Sequence, residues 1–394
     1  MLPLAGLRII AVEQYGAGPF GSMMLGDLGA EVIKIENPAE GGDVSRSVGP
    51  HFFPDGDSHF FQAFNRNKKS LTLNLKHPEA RRVLHALVGS ADAVLDNLRG
   101  DQAEKLGVTY AHLREANPKI VCAHLSAYGR EGSRKAWPGY DYLMQAEAGY
   151  LSVTGEADGP PSRMGLSIVD LMTGLNAAFA LVSGVLSARA TGKGRDIDVS
   201  LFETALQNLC YLAVWYLNAG VNQGREPRSS HPSLTPSQLY RTKDGFIFLM
   251  CNKEKFWPVL CEAIGKPEWS ERADYKDFKA RLANRAKLTL ELDAALSART
   301  TAEWIEAFAG RVPAAPVYDV KDALENPFVR EGAMVRTAEH PSGPIRLLAP
   351  SVRCPGEELP CAPAPAMGAD TDTILGELGF AAGEIARLRK AGAV

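Results

Sequence analysis

Two short apolar segments decide the fold: Leu7-Arg8-Ile9-Ile10-Ala11-Val12 and Glu31-Val32-Ile33-Lys34-Ile35. Each is long enough for one buried strand, and residues 22–28 between them are typical of a helix. That helix runs into Asp27-Leu28-Gly29-Ala30, with glycine where a helix C-cap is expected. A strand, a helix and a second strand in this order predict a βαβ unit with two parallel strands.

The same alternation continues outward from this unit through the first 220 residues. A sequence in which strands alternate with helices predicts a parallel, doubly wound α/β domain of the Rossmann-like kind. The long helix in it is almost free of charge, which indicates burial on most sides. The further predicted strands are residues 70–75, 93–95, 120–123 and 197–200, and the further helices are 78–88, 171–190 and 201–217.

The character of the sequence changes near Gly220, where a stretch without periodicity begins. Beyond it, Thr242-Lys243-Asp244-Gly245 contains the Asp-Gly pair typical of a hairpin turn. Residues 330–394 lack a core of their own and are expected to return to the large domain. We therefore expect a large α/β domain over 1–220 and a smaller α+β domain over 226–325, with helices at 253–264, 278–297 and 302–309.

Composition places the 394-residue chain among ordinary globular proteins, since 45% of its residues are hydrophobic and 23% are charged. This excludes a disordered chain, a coiled coil and a collagen-like repeat. The 43 basic and 46 acidic residues give a net charge of −3, so charge offers no argument for nucleic-acid or membrane binding. We find no 18-residue apolar run and no signal-peptide pattern, which predicts a cytoplasmic location.

The spacing of cysteine and histidine gives no indication of a metal centre. None of the six cysteines forms a CxxC pair, and the eight histidines include no HExxH motif. We expect no metal, and we expect the cysteines to be buried, reduced and inert.

Gly16-Ala17-Gly18-Pro19-Phe20-Gly21 is a literal GxGxxG motif at the start of the first helix. In nicotinamide enzymes such glycines admit a pyrophosphate, and Glu36 stands near the position of the acid that binds the ribose. Here, however, Glu13-Gln14-Tyr15 separates the strand from the first glycine, whereas the usual motif begins almost at the strand end. The motif alone leaves two interpretations open, a dinucleotide site or a glycine-rich turn for another ligand.

A series of short segments, in a fixed order from residue 4 to beyond residue 330, carries a resemblance to one family. As a set they resemble the class III CoA-transferase family, the group that contains formyl-CoA transferase. The segments are Leu4-Ala5-Gly6-Leu7-Arg8, Ala17-Gly18-Pro19, Leu28-Gly29-Ala30-Glu31-Val32-Ile33-Lys34-Ile35-Glu36, Asn67-Lys68-Lys69-Ser70-Leu71, Pro138-Gly139-Tyr140-Asp141, Thr191-Gly192-Lys193-Gly194 and Val312-Pro313-Ala314-Ala315-Pro316-Val317.

The resemblance implies an enzyme that moves coenzyme A from an acyl-CoA donor to a free carboxylic acid. The family's nucleophile, an aspartate before a long apolar helix, matches Asp170. The resemblance also implies an aspartyl anhydride and then an aspartyl-CoA thioester as intermediates. A helix N-terminus favours a carboxylate through its dipole and its free N–H groups. The local sequence alone favours a simple helix N-cap at Asp170, whereas the resemblance favours the nucleophile.

The resemblance also implies the surroundings of the nucleophile. Tyr140, Asp141 and Gln145 are expected to form the substrate pocket, and the acid is expected to be small or dicarboxylic. Coenzyme A thioesters are substrates, so no permanently bound cofactor is expected, and two chains are expected to form an interlocked homodimer. The residues implied around coenzyme A are Gly16, Ala17, Leu73, Lys76, Asn97, Leu98, Lys105 and Leu106.

Three alternatives remain from the sequence. α-Methylacyl-CoA racemases share the family fold but use a histidine–aspartate pair, and this chain has Tyr140 where their histidine stands. A tyrosine is a poor base at neutral pH, which favours transfer over racemisation. The second alternative is the NAD-dependent dehydrogenase suggested by the glycine motif. The third, a CoA-binding protein without catalysis, is disfavoured because Asp170 is retained.

Overall fold

The computed structural model describes residues 1–394, and the chain divides into two compact units. The first unit contains Met1–Ala148, Met164–Val214 and Arg330–Val394. The second contains Gly149–Arg163 and Trp215–Val329. The C-terminal residues thus lie in the same unit as the N-terminal ones.

Residues 149–163 belong to the second unit, although the sequence places them inside the predicted large domain. Hydrogen bonds within that unit explain this. The Arg225 guanidinium donates to the Gly159 carbonyl at 2.7 Å, and the Arg228 backbone N–H donates to the Glu156 carboxylate at 2.9 Å.

A six-stranded parallel sheet with the order β3-β2-β1-β4-β5-β6 forms the centre of the first unit. This confirms the predicted α/β class with a parallel sheet. Strand order reverses between β1 and β4, and ligands of such folds bind at that switch point, beyond the carboxyl ends of the strands. The strands are β1 (Arg8–Val12), β2 (Glu31–Glu36), β3 (Lys68–Thr72), β4 (Ala93–Asp96), β5 (Val121–Ser126) and β6 (Arg195–Ser200).

Both faces of the sheet are apolar, since alternate residues of a strand point to opposite sides and consecutive residues such as Ile9 and Ile10 are both buried. On one face, Ile10, Ile33 and Val94 pack in a core with Leu84 and Leu388 from helices near each end of the chain. The helices of the first unit are α1 (Ala17–Asp27), α2 (His59–Asn65), α3 (Ala80–Gly89), α4 (Ala103–Leu106), α5 (Tyr110–Leu113), α6 (Asp141–Glu147), α8 (Ile168–Thr191), α9 (Leu201–Asn208), α17 (Thr371–Glu377) and α18 (Ala382–Lys390), with a hairpin of β10 (Val335–Ala338) and β11 (Ile345–Leu348).

Helix α8 is the longest helix, and by length and composition alone it could cross a membrane. This differs from the prediction that the chain has no apolar run of that length. Half of its most apolar 18-residue window is buried inside the structure, as in the core helix of a globular protein. Its burial follows from packing against α1 and the sheet, where Gly184 leaves space for the side chains of Val121 and Ile197.

The second unit is built on an antiparallel sheet with the order β7-β8-β9. As the Asp-Gly pair predicts, β7 and β8 form a hairpin, closed by a hydrogen bond from the Thr242 N–H to the Gly245 carbonyl at 3.0 Å. The elements are α7 (Tyr150–Val153), β7 (Ser237–Arg241), β8 (Phe246–Met250), α11 (Phe256–Ala263), α12 (Phe278–Ala283), α13 (Arg285–Leu296), α14 (Thr301–Phe308), β9 (Ala314–Pro316) and α15 (Val320–Glu325); α10 (Tyr211–Ala219) and α16 (Pro327–Glu331) lie at the unit boundaries.

The single helix predicted over 201–217 is wrong, because the chain forms α9 and α10 with a break between them. Cys210 lies in the break with φ of +52°, a left-handed conformation that interrupts any α-helix. Cys210 is also exposed, contrary to the expectation that the cysteines are buried. All six thiols are free, and Cys122, Cys251 and Cys261 are buried as expected.

Candidate active site

Asp170 lies in the first turn of α8, and its side chain is largely withdrawn from solvent. The helix begins after Ser167, so Asp170 is its third residue, and the N-cap interpretation is wrong. The residue is 9% exposed, and its backbone N–H donates to Oδ2 of Asp141 at 2.9 Å. Burial, together with the negative charge of Asp141, raises the pKa of the Asp170 carboxyl to about 7.

The turn between β1 and α1, residues 13–16, lies directly against this carboxylate, and we call it the Gly16 turn. A Cβ atom added at Gly16 would stand 2.8 Å from Oδ2 of Asp170, so no side chain fits there without movement. Tyr15 precedes it with φ of +70°, which is uncommon for a residue other than glycine. The Asn97 side chain fixes the turn, accepting from the Gln14 N–H at 2.9 Å and donating to the Gln14 carbonyl at 2.7 Å.

Two helix N-termini meet at Asp170, because α1 begins beside Gly16 and α8 begins at Ile168. The first N–H groups of a helix lack partners within the helix and carry the positive end of its dipole. Such groups stabilise a carboxylate and also an oxyanion that forms nearby.

Asp141 and Gln145 lie behind Asp170 as a buried hydrogen-bonded pair on α6. The Gln145 amide donates to Asp141 Oδ1 at 2.6 Å and to the Leu166 carbonyl at 3.1 Å, and it accepts from the Met164 N–H at 2.9 Å. Gln145 has no exposed surface and is not among the residues that line the cavity at Asp170. Its contacts instead hold the segment that enters α8.

A cavity of about 240 Å³ opens at Asp170, and we call it the Asp170 cavity. No histidine lines it, so the histidine–aspartate pair of a racemase has no counterpart there. The sequence prediction missed the other lining residues, among them Gln14, Tyr15 and Trp137, because neither turn geometry nor a lone tryptophan marks a ligand site in one sequence. The predicted residues that do line it are Gly16, Ala17, Asn97, Leu98, Tyr140 and Asp170.

A second cavity of about 210 Å³, here called the Lys76 cavity, shares Gln14, Asn97 and Leu98 with the first. It holds three more of the predicted CoA residues, Leu73, Lys76 and Leu106. Lys105 lies beside it, in a pocket that also includes Leu106. The eight residues implied by the resemblance therefore line one connected surface at the switch point of the sheet.

The two lysines of this surface are paired with carboxylates but remain in contact with solvent. Lys76 Nζ lies 3.0 Å from Oε1 of Glu40, and Lys105 Nζ lies 2.6 Å from Oδ2 of Asp101. Exposed pairs of this kind contribute little free energy, so both ammonium groups can exchange their carboxylates for a phosphate at small cost.

Glu36 is unsuited to bind a ribose, which argues against the dinucleotide interpretation of the glycine motif. Its carboxylate accepts from Arg46 Nε at 2.8 Å and Nη2 at 2.7 Å, and from the Ser70 hydroxyl at 2.5 Å. It also accepts from the Asp43 N–H at 3.0 Å. Both oxygens are therefore occupied within the protein.

The architecture matches a solved class of α/β proteins. The crystal structure of a CAIB/BAIF family protein from Brucella suis superposes with a TM-score of 0.83 at 30% identity, covering 96% of this chain and 99% of that one. The likeness therefore extends over both units of the chain, in sequence as well as in fold.

The sequence comparisons name the family. The profile of CoA-transferase family III matches residues 4–371. Succinyl-CoA:glutarate CoA-transferase of Mus musculus is 34% identical over 398 residues, covering 100% of this chain and 91% of the mouse protein. Succinyl-CoA:mesaconate CoA-transferase of Haloarcula marismortui is 33% identical over 346 residues, 86% of each protein. The chain belongs to CoA-transferase family III; it is an enzyme, and its class is transferase.

Proposed function

We propose that the enzyme moves coenzyme A from an acyl-CoA thioester to a free carboxylic acid, with Asp170 as the nucleophile. The observation that carries this proposal is the buried Asp170 carboxylate, in contact with the Gly16 turn and with its pKa raised to about 7. A carboxylate in water is a weak nucleophile because its charge is solvated. Withdrawal from water and the nearby charge of Asp141 make this one more reactive.

In the first half of the reaction, a carboxylate oxygen of Asp170 attacks the thioester carbonyl of the donor. A C–O bond forms, the C–S bond breaks, and the products are a mixed anhydride and CoA thiolate. The thiolate then attacks the aspartyl carbonyl. The donor acid leaves as its carboxylate, and an aspartyl-CoA thioester remains at Asp170.

The second half repeats these steps with the acceptor acid. Its carboxylate attacks the aspartyl-CoA carbonyl and releases thiolate, giving a new mixed anhydride. The thiolate attacks the acceptor acyl carbon, which forms the new thioester and restores the Asp170 carboxylate. Because thioester bonds are exchanged throughout, the sequence of steps requires no ATP. Gly16 and Ala17 line the Asp170 cavity at the start of α1, and we assign their backbone N–H groups to stabilise each tetrahedral oxyanion.

We assign coenzyme A to the connected surface formed by the Asp170 and Lys76 cavities. Lys76 and Lys105 supply charges suited to the phosphates, while Leu73, Leu98 and Leu106 supply apolar contact for the adenosine and pantetheine parts. Tyr140 lines the Asp170 cavity and is assigned to the acyl group. Both relatives described above have succinyl-CoA and a dicarboxylic acid in their names, so we propose a dicarboxylic acid as acceptor.

Trapping of the acylated enzyme tests the nucleophile. We expect that incubation with succinyl-CoA, followed by hydroxylamine, converts the Asp170 carboxyl to a hydroxamate that peptide mass spectrometry detects. The Asp170→Asn variant, treated in the same way, should show no modification of this peptide. The acceptor class is then identified by adding glutarate, mesaconate or, as a monocarboxylate, acetate before the hydroxylamine. The rate at which each acid consumes the aspartyl-CoA thioester is measured as the loss of trapped hydroxamate.

Two outcomes would count against this assignment. If no donor thioester gives an adduct although CoA binds, Asp170 is not the nucleophile. If solvent deuterium enters the α-carbon of a 2-methylacyl-CoA, the racemase alternative replaces it.

We further propose that two chains assemble as the interlocked homodimer that the family resemblance implies, with the first unit as the CoA-binding domain. Support comes from an exposed apolar stripe on α8. Leu175, Phe179 and Leu186 lie on one side of the helix, and Phe179 is 76% exposed. Residues spaced by four and seven positions form a continuous stripe, which a second chain can cover. The cytoplasmic location stays a prediction.

The Phe179→Asp variant is expected to fail to assemble as a dimer when the chains fold, because a carboxylate in the stripe would be desolvated on assembly. Size-exclusion chromatography with light scattering measures the change from two chains to one. Leu290→Asp is the matched control, since Leu290 on α13 is also exposed, at 69%, but lies beside charged Lys287. A wild-type protein that is monomeric at working concentrations would contradict the proposal.

A further inference from the structure

Four charged side chains form a buried cluster behind the Gly16 turn. Glu13 directly follows β1, and Lys34 lies in β2. Asp43 lies in the segment after β2, and Lys68 is the first residue of β3. The side chains of all four have no exposed surface. Glu13 and Asp43 are among the lining residues of the Lys76 cavity, but their side chains have no exposed surface, and no role in the reaction steps described above is assigned to any of the four.

Lys34 connects this cluster to the start and the centre of the turn. Its Nζ donates to the Glu13 carbonyl at 2.9 Å and lies 2.7 Å from Oδ2 of Asp43. The other oxygen of Asp43, Oδ1, accepts from the Tyr15 N–H at 3.0 Å. Lys34 therefore holds one backbone atom of the turn directly and a second through Asp43.

Lys68 connects the cluster to the end of the turn, in the first turn of α1. Its Nζ donates to the Pro19 carbonyl at 3.0 Å, to Oε1 of Glu13 at 2.7 Å and to Oδ1 of Asn65 at 2.9 Å. The two lysines together thus hold backbone atoms before, within and after the segment that contacts Asp170.

Stability alone is a poor explanation for four buried charges. Removing charges from water costs several kcal/mol per ion, and apolar replacements of buried pairs are often neutral or stabilising. The cost is visible at Lys68, because burial lowers the pKa of its ammonium group to about 8 even though Glu13 acts in the opposite direction. What these charges supply that apolar residues lack is directed hydrogen bonding to a strained turn, in which Tyr15 has a positive φ.

We propose that Glu13, Lys34, Asp43 and Lys68 are positioning residues that fix the Gly16 turn against the nucleophile. This inference rests on the proposed function of Asp170. The turn amides must stand within hydrogen-bonding distance of the developing oxyanion, and small displacements of such donors reduce the rate steeply. The cluster acts through the backbone of the turn and touches no substrate atom in the proposed reaction.

Two double variants test the proposal, and each removes one positive and one negative charge. Lys34→Met/Asp43→Asn keeps an oxygen that can accept from the Tyr15 N–H, whereas Lys34→Met/Asp43→Leu removes it. We expect kcat to fall by about 10-fold in the first variant and about 100-fold in the second, because the turn is progressively released. Because the side chains of Lys34 and Asp43 have no exposed surface, the dissociation constant of CoA, measured by calorimetry, should stay within about 3-fold of wild type in both.

A purely structural role predicts a different pattern. It would lower the melting temperature or the folded fraction, but turnover per CoA-binding molecule would match wild type in both variants, and that result would overturn the proposal. Lys69→Met/Glu31→Gln is the control, because this partly exposed pair lies on the same two strands. Lys69 directly follows Lys68, and Glu31 lies three residues before Lys34, so both side chains point to the opposite face of the sheet. This control variant should leave kcat unchanged.

The proposal can still be tested if one of these variants does not fold. If the leucine variant does not fold, Lys68→Met/Glu13→Gln releases the Pro19 carbonyl instead, and a kcat within about 3-fold of wild type there would overturn the proposal. Failure of the proposed function looks different, since wild-type enzyme would then form no Asp170 adduct with any donor. If only the positioning role is wrong, the wild-type enzyme still forms the Asp170 adduct, and the variants form it at the wild-type rate.

Discussion

Replacement of Asp170 by asparagine is expected to abolish CoA transfer, with kcat reduced by a factor on the order of 10⁴ to 10⁶, as is usual when a covalent nucleophile is removed. The amide has nearly the size of the carboxyl group but cannot form an anhydride. Steady-state exchange of CoA between a donor thioester and a dicarboxylic acid measures the loss. A variant that keeps one tenth of the wild-type turnover would contradict the covalent mechanism.

The pH dependence of the unfolding free energy provides a check that the Asp170→Asn variant is folded. Burial and Asp141 raise the pKa of Asp170 from the ordinary 3.8 to about 7 in the folded chain. Between these values the folded protein retains a proton that the unfolded chain has released, so the unfolding free energy of wild type falls as pH rises. Asparagine does not titrate, and the variant should therefore exceed wild type at pH 8 by up to about 4 kcal/mol.

This difference should shrink as the pH falls from about 7 and disappear near pH 3, where the carboxyl is mostly neutral in both the folded and the unfolded chain. Denaturant unfolding at both pH values provides the comparison. Such a result would connect reactivity to stability at one residue, because the environment that makes Asp170 a better nucleophile is also the one that destabilises its ionised form.

The order of elements and the position of Asp170 near the start of a long apolar helix could be predicted from the sequence, because both depend on local patterns. Short apolar runs separated by helical segments are sufficient for a parallel sheet, and they placed β1, β2 and the long helix α8 correctly. Asp170 also stands out in the sequence, because it is a charged residue within an apolar stretch. The resemblance added the role of Asp170, which no local pattern could supply.

Features that depend on distant contacts could not be predicted. The strand predicted over 70–75 begins two residues earlier, at Lys68, because its ammonium group is buried against Glu13, 55 positions away in the chain. The positive φ of Tyr15 depends on Asp43, and the fixed position of Gln14 depends on Asn97. A charge pattern in one sequence does not reveal which partner compensates a buried lysine.

The close crossing of α1 and α8 is another such feature, and it brings the two helix N-termini together. A Cβ atom added at Gly174 would lie 2.4 Å from the Ala17 carbonyl oxygen, and one added at Gly21 would lie 2.4 Å from the Gly174 carbonyl oxygen. The backbones are therefore in direct contact one helical turn beyond Gly16 and Asp170. Any increase in the separation of the helices there moves Asp170, the proposed nucleophile, away from the Gly16 turn.

Gly174→Ala is therefore expected to reduce both stability and turnover. In an open helix this change would stabilise by up to about 1 kcal/mol through helix propensity. Here the added methyl group meets backbone that cannot rotate aside, and we expect a net loss of about 1–3 kcal/mol, as for other overpacked cores. The resulting displacement of Asp170 should lower kcat by about 100-fold. Denaturant unfolding and steady-state kinetics measure the two effects.

Gly184→Ala in the same helix separates misplacement of the nucleophile from general damage to α8. An added Cβ there would also be too close, 2.7 Å from side-chain atoms of Val121 and Ile197, but Gly184 lies 14 residues beyond Asp170. That spacing corresponds to about 21 Å along the helix. We expect Gly184→Ala to lose stability while keeping kcat within about 3-fold of wild type. Equal losses of kcat in both variants would mean that the tight crossing supports the fold without positioning Asp170.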